Sequence, residues 1–136
     1  MFSKPEAGWV NINIGNYTMS GSYLTDIPID FLNSLINSLE NNLPFSVLID
    51  EEGIEDILCA YYDEVFIIIK DGNNVEYKKI DMDFNTFRVE IVKDIEIYFN
   101  DWIVWSMEHD SKILKSREME LRNKLSIAKA KLKKYV

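Results

Sequence analysis

The side chains able to do chemistry are few, and their spacing works against it. The chain holds one histidine, His109, and one cysteine, Cys59. His109-Asp110-Ser111 contains the residue types of a nucleophilic relay. Consecutive residues of a helix point in different directions, however, so these three cannot line up as one. A capping or surface role fits His109 better. One Cys and one His do not make a zinc site, so no metal centre is expected. Cys59 stands in an apolar run and is expected to be a buried, inert thiol. No intrachain disulfide is possible with a single cysteine.

Carboxylates are the one abundant reactive type. Asp50, Glu51, Glu52, Glu55, Asp56, Asp63 and Glu64 fall within fifteen residues. Such a cluster could in principle bind a hard cation, but its spacing matches no calcium loop. Gly53 suits the turn of a hairpin better than an ion-binding loop. The five glycines form no phosphate-cradling loop. Neither an enzyme nor a cofactor-binding protein is therefore expected, and the acidic stretch is read as a recognition surface.

The elements that carry these residues follow from periodicity. Phe45–Asp50, Ile54–Tyr62 and Val65–Lys70 are short Val/Ile/Phe/Tyr-rich runs with tight polar junctions, the pattern of consecutive antiparallel strands. Trp9–Ile14 alternates apolar and polar, and Gly15-Asn16 is a hairpin turn leading to a strand over Tyr17–Tyr23. Gly21 weakens that second strand. Asp71-Gly72-Asn73-Asn74 is a strong turn before a strand over Val75–Met82, with Val75, Tyr77 and Ile80 expected inward.

Asp26 to Asp30 opens a helix, with Asp26 as cap and Pro28 in the first turn. Phe31, Leu32, Leu35, Ile36 and Leu39 form its apolar face. Asp83–Met107 is expected as one long helix with a stripe running from Phe84 to Trp105. Lys112–Tyr135 is a further helix or a continuation of that one, its seam carrying Leu114, Glu118, Leu121, Leu125, Ala128, Leu132 and Tyr135. The fold expected is a single α+β domain: a mostly antiparallel sheet of five or six strands, packed helices and a basic C-terminal helix. Residues 1–111 are the acidic α+β part, and 112–136 are a basic helix belonging to the same domain.

Charge divides along the same line. The net charge is −8 overall. From Lys112 onward it is +7, so residues 1–111 carry −15. An acidic body repels nucleic acid and anionic membranes and steers a basic partner toward itself. The basic helix has the composition of a nucleic-acid element, but it lacks aromatic residues among its charges, and a solvated face explains it as well. Tyr61 and Tyr62 are adjacent in a strand, so one must face outward beside the acidic junctions, where a tyrosine makes a good anchor for a protein partner. No run is long and apolar enough to span a membrane, and the N-terminus lacks an export signal, so a cytoplasmic protein is expected.

The phrase Gly21-Ser22-Tyr23-Leu24-Thr25-Asp26-Ile27-Pro28-Ile29-Asp30-Phe31-Leu32, then Pro44-Phe45-Ser46-Val47-Leu48-Ile49-Asp50-Glu51-Glu52-Gly53, resembles small bacterial immunity proteins. These are antidotes of polymorphic toxins, including toxins of contact-dependent growth inhibition. The likeness runs from about Trp9 to Trp105 and leaves out the basic tail. It implies binding of a cognate toxin without catalysis. The toxin class that suits an acidic antidote is a nuclease, whose surface is basic because it grips phosphate. The residues expected to meet the partner are Asp50, Glu51, Glu52, Glu55, Asp56, Tyr62, Asp63 and Glu64. The alternative is a nucleic-acid-associated or regulatory module that uses the C-terminal helix.

Overall fold

Six strands form where alternation and turn chemistry place them, but they make two antiparallel sheets. A computed structural model describes residues 1–134. Strands β1 (Trp9–Ile14) and β2 (Tyr17–Ser22) pair as a hairpin. Helix α1 (Ile27–Asn41) follows. Strands β3 (Phe45–Asp50), β4 (Ile54–Tyr61), β5 (Glu64–Asp71) and β6 (Asn74–Ile80) then form a four-stranded meander. Helices α2 (Phe84–Ile97), α3 (Phe99–Val104) and α4 (Ser111–Leu132) complete the described chain. Tyr135, expected on the last helix's seam, lies outside the described residues.

The single sheet of five or six strands is thus corrected. β2 does not join the ladder of β3. It touches the end of that strand through isolated bonds: Ser22 Oγ donates to the Asp50 carbonyl at 2.8 Å, and the Ser20 amide donates to Glu51 Oε1 at 2.6 Å. Gly21 permits this route. A Cβ there would sit 2.3 Å from the Ile27 side chain at the start of α1, so the residue that weakened the strand in sequence is required by close packing.

The core lies on one side of the larger sheet. Phe45, Val47 and Ile49 of β3, Leu58 and Ala60 of β4, and Val65 and Ile67 of β5 are buried there. Phe31 of α1 and Phe87 of α2 meet Phe45 edge-on, at ring separations of 5.6 and 5.0 Å. Edge-to-face pairs of this kind stabilise a core beyond their area alone.

Two helical expectations change. The long helix over Asp83–Met107 breaks at Tyr98, which caps α2 and begins α3; Trp102 and Trp105 still pack inward, 5.1 Å apart. Asp26 does not cap α1 with its side chain. Its two oxygens are taken by the Arg117 guanidinium of α4, at 2.6 and 3.0 Å. Asp110 caps α4 instead, accepting from the Lys112 and Ile113 amides.

The basic helix packs on its own chain. Leu121, Leu125, Ala128 and Leu132 are buried, and Arg117 also donates to the Trp102 carbonyl. Glu118, the polar residue on the seam, is half-buried and pairs with Arg122. No helix among the described residues is long and apolar enough to cross a membrane.

Candidate functional site

The site is built by the β3–β6 meander and its turns. Side chains alternate across a strand, so each register row belongs to one face. Ile49, Asp56, Ile69 and Glu76 form one row, and Val47, Leu58, Ile67 and Lys78 the next; both face the helices and the β1–β2 hairpin. Leu48, Ile57, Ile68 and Tyr77 form a row on the opposite face, beside Ser46, Cys59, Phe66 and Lys79. Among the described residues no element packs on that outer face. Leu48 is 41% exposed and Tyr77 61%. Phe66 and Tyr77 lie ring against ring at 5.2 Å.

Two expectations about this face are corrected. Val75 and Tyr77, expected inward, face outward. The two-residue turn fixes Asp71 opposite Asn74, which puts Tyr77 beside Ile68 and both residues outward. Cys59 is only half-buried, and it lies on this outer face beside Ser46. Burial pushes its thiol upward, partly offset by the Ser46 hydroxyl. A raised thiol is a poor nucleophile at neutral pH.

The acidic residues do not form one rim. Asp50, Glu51, Glu52, Glu55 and Asp56 gather at the β3–β4 turn, joined by Asp71 and Glu76 from the β5–β6 end. Tyr62, Asp63 and Glu64 lie at the other end of β4. That strand has eight residues, which separates the two groups by about 23 Å. Sequence proximity joined them; the strand keeps them apart.

Their roles differ too. Glu52, Glu55, Asp63 and Asp71 are exposed and have no cation within ion-pair reach among the described residues. Asp50 is half-buried and accepts the Glu52 amide at 2.7 Å, which tightens the turn. Glu64 is paired with Lys79 at 3.4 Å. Glu51 is half-buried and holds β2 through Ser20. Asp56 is 0% exposed, so it is not a surface contact.

Asp56 points from β4 into the space between the sheet and the hairpin, where neither oxygen receives a donor among the described residues. The group facing it is the Glu51 carboxyl. Burial, then the shared hydrogen bond with Glu51 and its negative charge, push Asp56 up to about 7. A bond between two carboxyls needs a proton on one of them, and with its pKa near 7 Asp56 carries that proton in roughly half of the molecules at neutral pH. Tyr17 of β2 is raised by burial and by the charges of Asp56, Glu51 and Glu76. Nearby, Ile54, Ile69, Asp71, Asn74, Val75 and Glu76 line an open hollow of about 420 Å³. No group of three or more His, Cys, Asp or Glu is placed to hold a metal among the described residues.

Of the tyrosine pair, Tyr62 is the outward member, 76% exposed against a half-buried Tyr61, but it lies in the turn after β4 and not in the strand. Sequence could not show its backbone. Tyr62 has φ +54°, in the left-handed region. His109 is exposed and takes part in no relay: its amide donates to Glu108 Oε1, and Asp110 serves the helix cap.

The cations of α4 are distributed away from the β3–β4 turn. Arg117 holds Asp26, Lys129 holds Glu96, Lys131 holds Glu40 and Arg122 holds Glu118. The helix therefore pairs with Asp26 and with acidic residues of α1, α2 and its own face, and with none of the meander among the described residues. Comparison of the chain with protein-family models, with curated proteins and with solved structures finds no match.

Proposed function

We propose that this chain is a non-catalytic immunity protein that binds and neutralises a basic toxin domain in the cytoplasm. A nuclease is the toxin class this charge suits best, because a surface that grips phosphate also attracts carboxylates. The observation that carries the reading is the set of exposed carboxylates at the β3–β4 and β5–β6 turns, Glu52, Glu55 and Asp71, none of which forms an ion pair among the described residues, although Lys70 stands opposite Glu55 in register. Uncompensated charge at one end of a sheet steers an oppositely charged protein and quickens its association.

The alternative, a nucleic-acid module built on the C-terminal helix, has less support. One face of α4 is buried, and four of its cations are already engaged with carboxylates. The test is whether a neighbouring gene encodes a toxin domain and whether this chain protects cells that express it. The wild type is expected to protect. The triple variant Glu52→Lys, Glu55→Lys, Asp71→Lys is expected to lose protection while staying folded. Full protection by that variant would remove the charge argument.

A further inference from the structure

We propose that the outer face of the β3–β6 sheet, together with its end turns, is the docking surface, and that its occupant is a basic protein. This rests on the binding role proposed above and names where that binding happens. The first argument is the unused apolar row. Leu48, Ile57, Ile68 and Tyr77 lie side by side on a face that no other described element covers. Contiguous apolar surface of this kind marks an interaction site more often than isolated exposed residues do.

The second argument is Tyr62. In the β4–β5 turn Tyr62 follows Tyr61, which pairs with Glu64; in the β5–β6 turn Gly72 follows Asp71, which pairs with Asn74. The two residues hold the same place in equivalent two-residue turns, with φ +54° and +59°. Glycine takes this conformation freely, whereas a side chain is strained in it. The turn thus retains a strained, solvent-facing tyrosine where glycine fits. Strain kept at an exposed aromatic residue is a mark of function.

The third argument selects the occupant. Glu52, Glu55, Asp63 and Asp71 rim both ends of the face and form no ion pair among the described residues; the cations there are Lys70, opposite Glu55, and Lys79, already paired with Glu64. A second copy would press these carboxylates against their own kind, and nucleic acid or an anionic membrane would be repelled likewise. Size points the same way. Four strands spaced about 4.8 Å apart and about 20 Å long give a footprint of roughly 400 Å², half of one side of a standard interface. A stable partner must therefore reach beyond the face to the turns, where Tyr62 and the acidic residues wait.

The experiment is hydrogen–deuterium exchange on the full chain, free and mixed with a catalytically inactive basic nuclease toxin domain from a neighbouring gene, with binding measured in parallel. Slowed exchange confined to β4, β5, β6 and their turns supports the surface. The variant Tyr62→Gly/Tyr77→Ala is expected to weaken binding by roughly 10-fold or more, with no loss in thermal midpoint. Binding with protection elsewhere, on α4 or the β1–β2 hairpin, overturns the surface and leaves the immunity role standing. No binding at all overturns both. Sedimentation of the free chain is expected to give a monomer, and a dimer closed over Tyr77 overturns the choice of occupant.

Discussion

Glu51 and Asp56 face each other as a carboxyl pair at the seam between the β1–β2 hairpin and the larger sheet. Glu51 holds the hairpin through the Ser20 amide, and Asp56 is buried beneath it with its pKa pushed up to about 7. In the unfolded chain Asp56 returns to about 3.9. Between those values the folded state binds the extra proton, so this pair's contribution to stability falls as pH rises from about 4 to about 7. Above that it stays low. Urea unfolding of the wild type at pH 5.5 and pH 8 should show this loss. Asp56→Asn should flatten it, because an amide can donate to Glu51 at any pH; the variant should be the more stable protein at pH 8. A wild-type pH dependence unchanged by the substitution would count against a shared proton.

The β4–β5 and β5–β6 turns predict opposite effects from opposite exchanges. Tyr62→Gly should raise stability by up to about 1 kcal/mol, because the strained backbone is relieved. Gly72→Ala should lower it by about 1 kcal/mol for the converse reason. Chemical denaturation of the two variants checks both signs. A loss of stability in Tyr62→Gly would mean that its ring contact with Tyr61, at 4.2 Å, outweighs the strain.

Arg117 joins three helices. Its guanidinium forks onto Asp26 ahead of α1 and donates twice to the Trp102 carbonyl of α3. Arg117→Ala should cost about 2 kcal/mol, because a half-buried carboxylate and a carbonyl lose their donors. Arg117→Lys should recover only a small part of this, since an ammonium cannot reproduce the planar fork. Thermal midpoints of the two variants against the wild type decide it.

Association with the toxin domain should depend steeply on salt. Raising ionic strength from about 0.01 to 0.15 M shortens the screening length from about 30 to 8 Å. The on-rate should fall over that range while the off-rate changes little, as stopped-flow mixing would show. The Glu52→Lys, Glu55→Lys, Asp71→Lys variant should lose most of this dependence. Its thermal midpoint should fall only modestly: these side chains make no ion pairs within the described residues, but Glu55→Lys sets a lysine opposite Lys70.

Much of the framework was legible because its signals are local. Alternation and turn residues located all six strands, and β3 begins and ends at the expected Phe45 and Asp50. What escaped depends on relations across the chain. Asp56 shares its strand parity with Leu58 and Ala60, which is the clue that it points inward; counting it with its acidic neighbours concealed this. Tyr77 was expected inward, whereas the turn at Gly72-Asn73 sets the register and turns it outward. The break at Tyr98 has no glycine or proline to announce it. Asp26 looked like a helix cap because the arginine that claims it stands 91 residues later.

The burial of the aromatic core on the helix side alone has a consequence for inheritance. A substitution at Leu48, Tyr77 or Tyr62 disturbs no interior packing, since the load of folding is carried by Phe31, Phe45 and Phe87 behind the sheet. The outward side can therefore be rewritten, one residue at a time, while the scaffold behind it stays as it is.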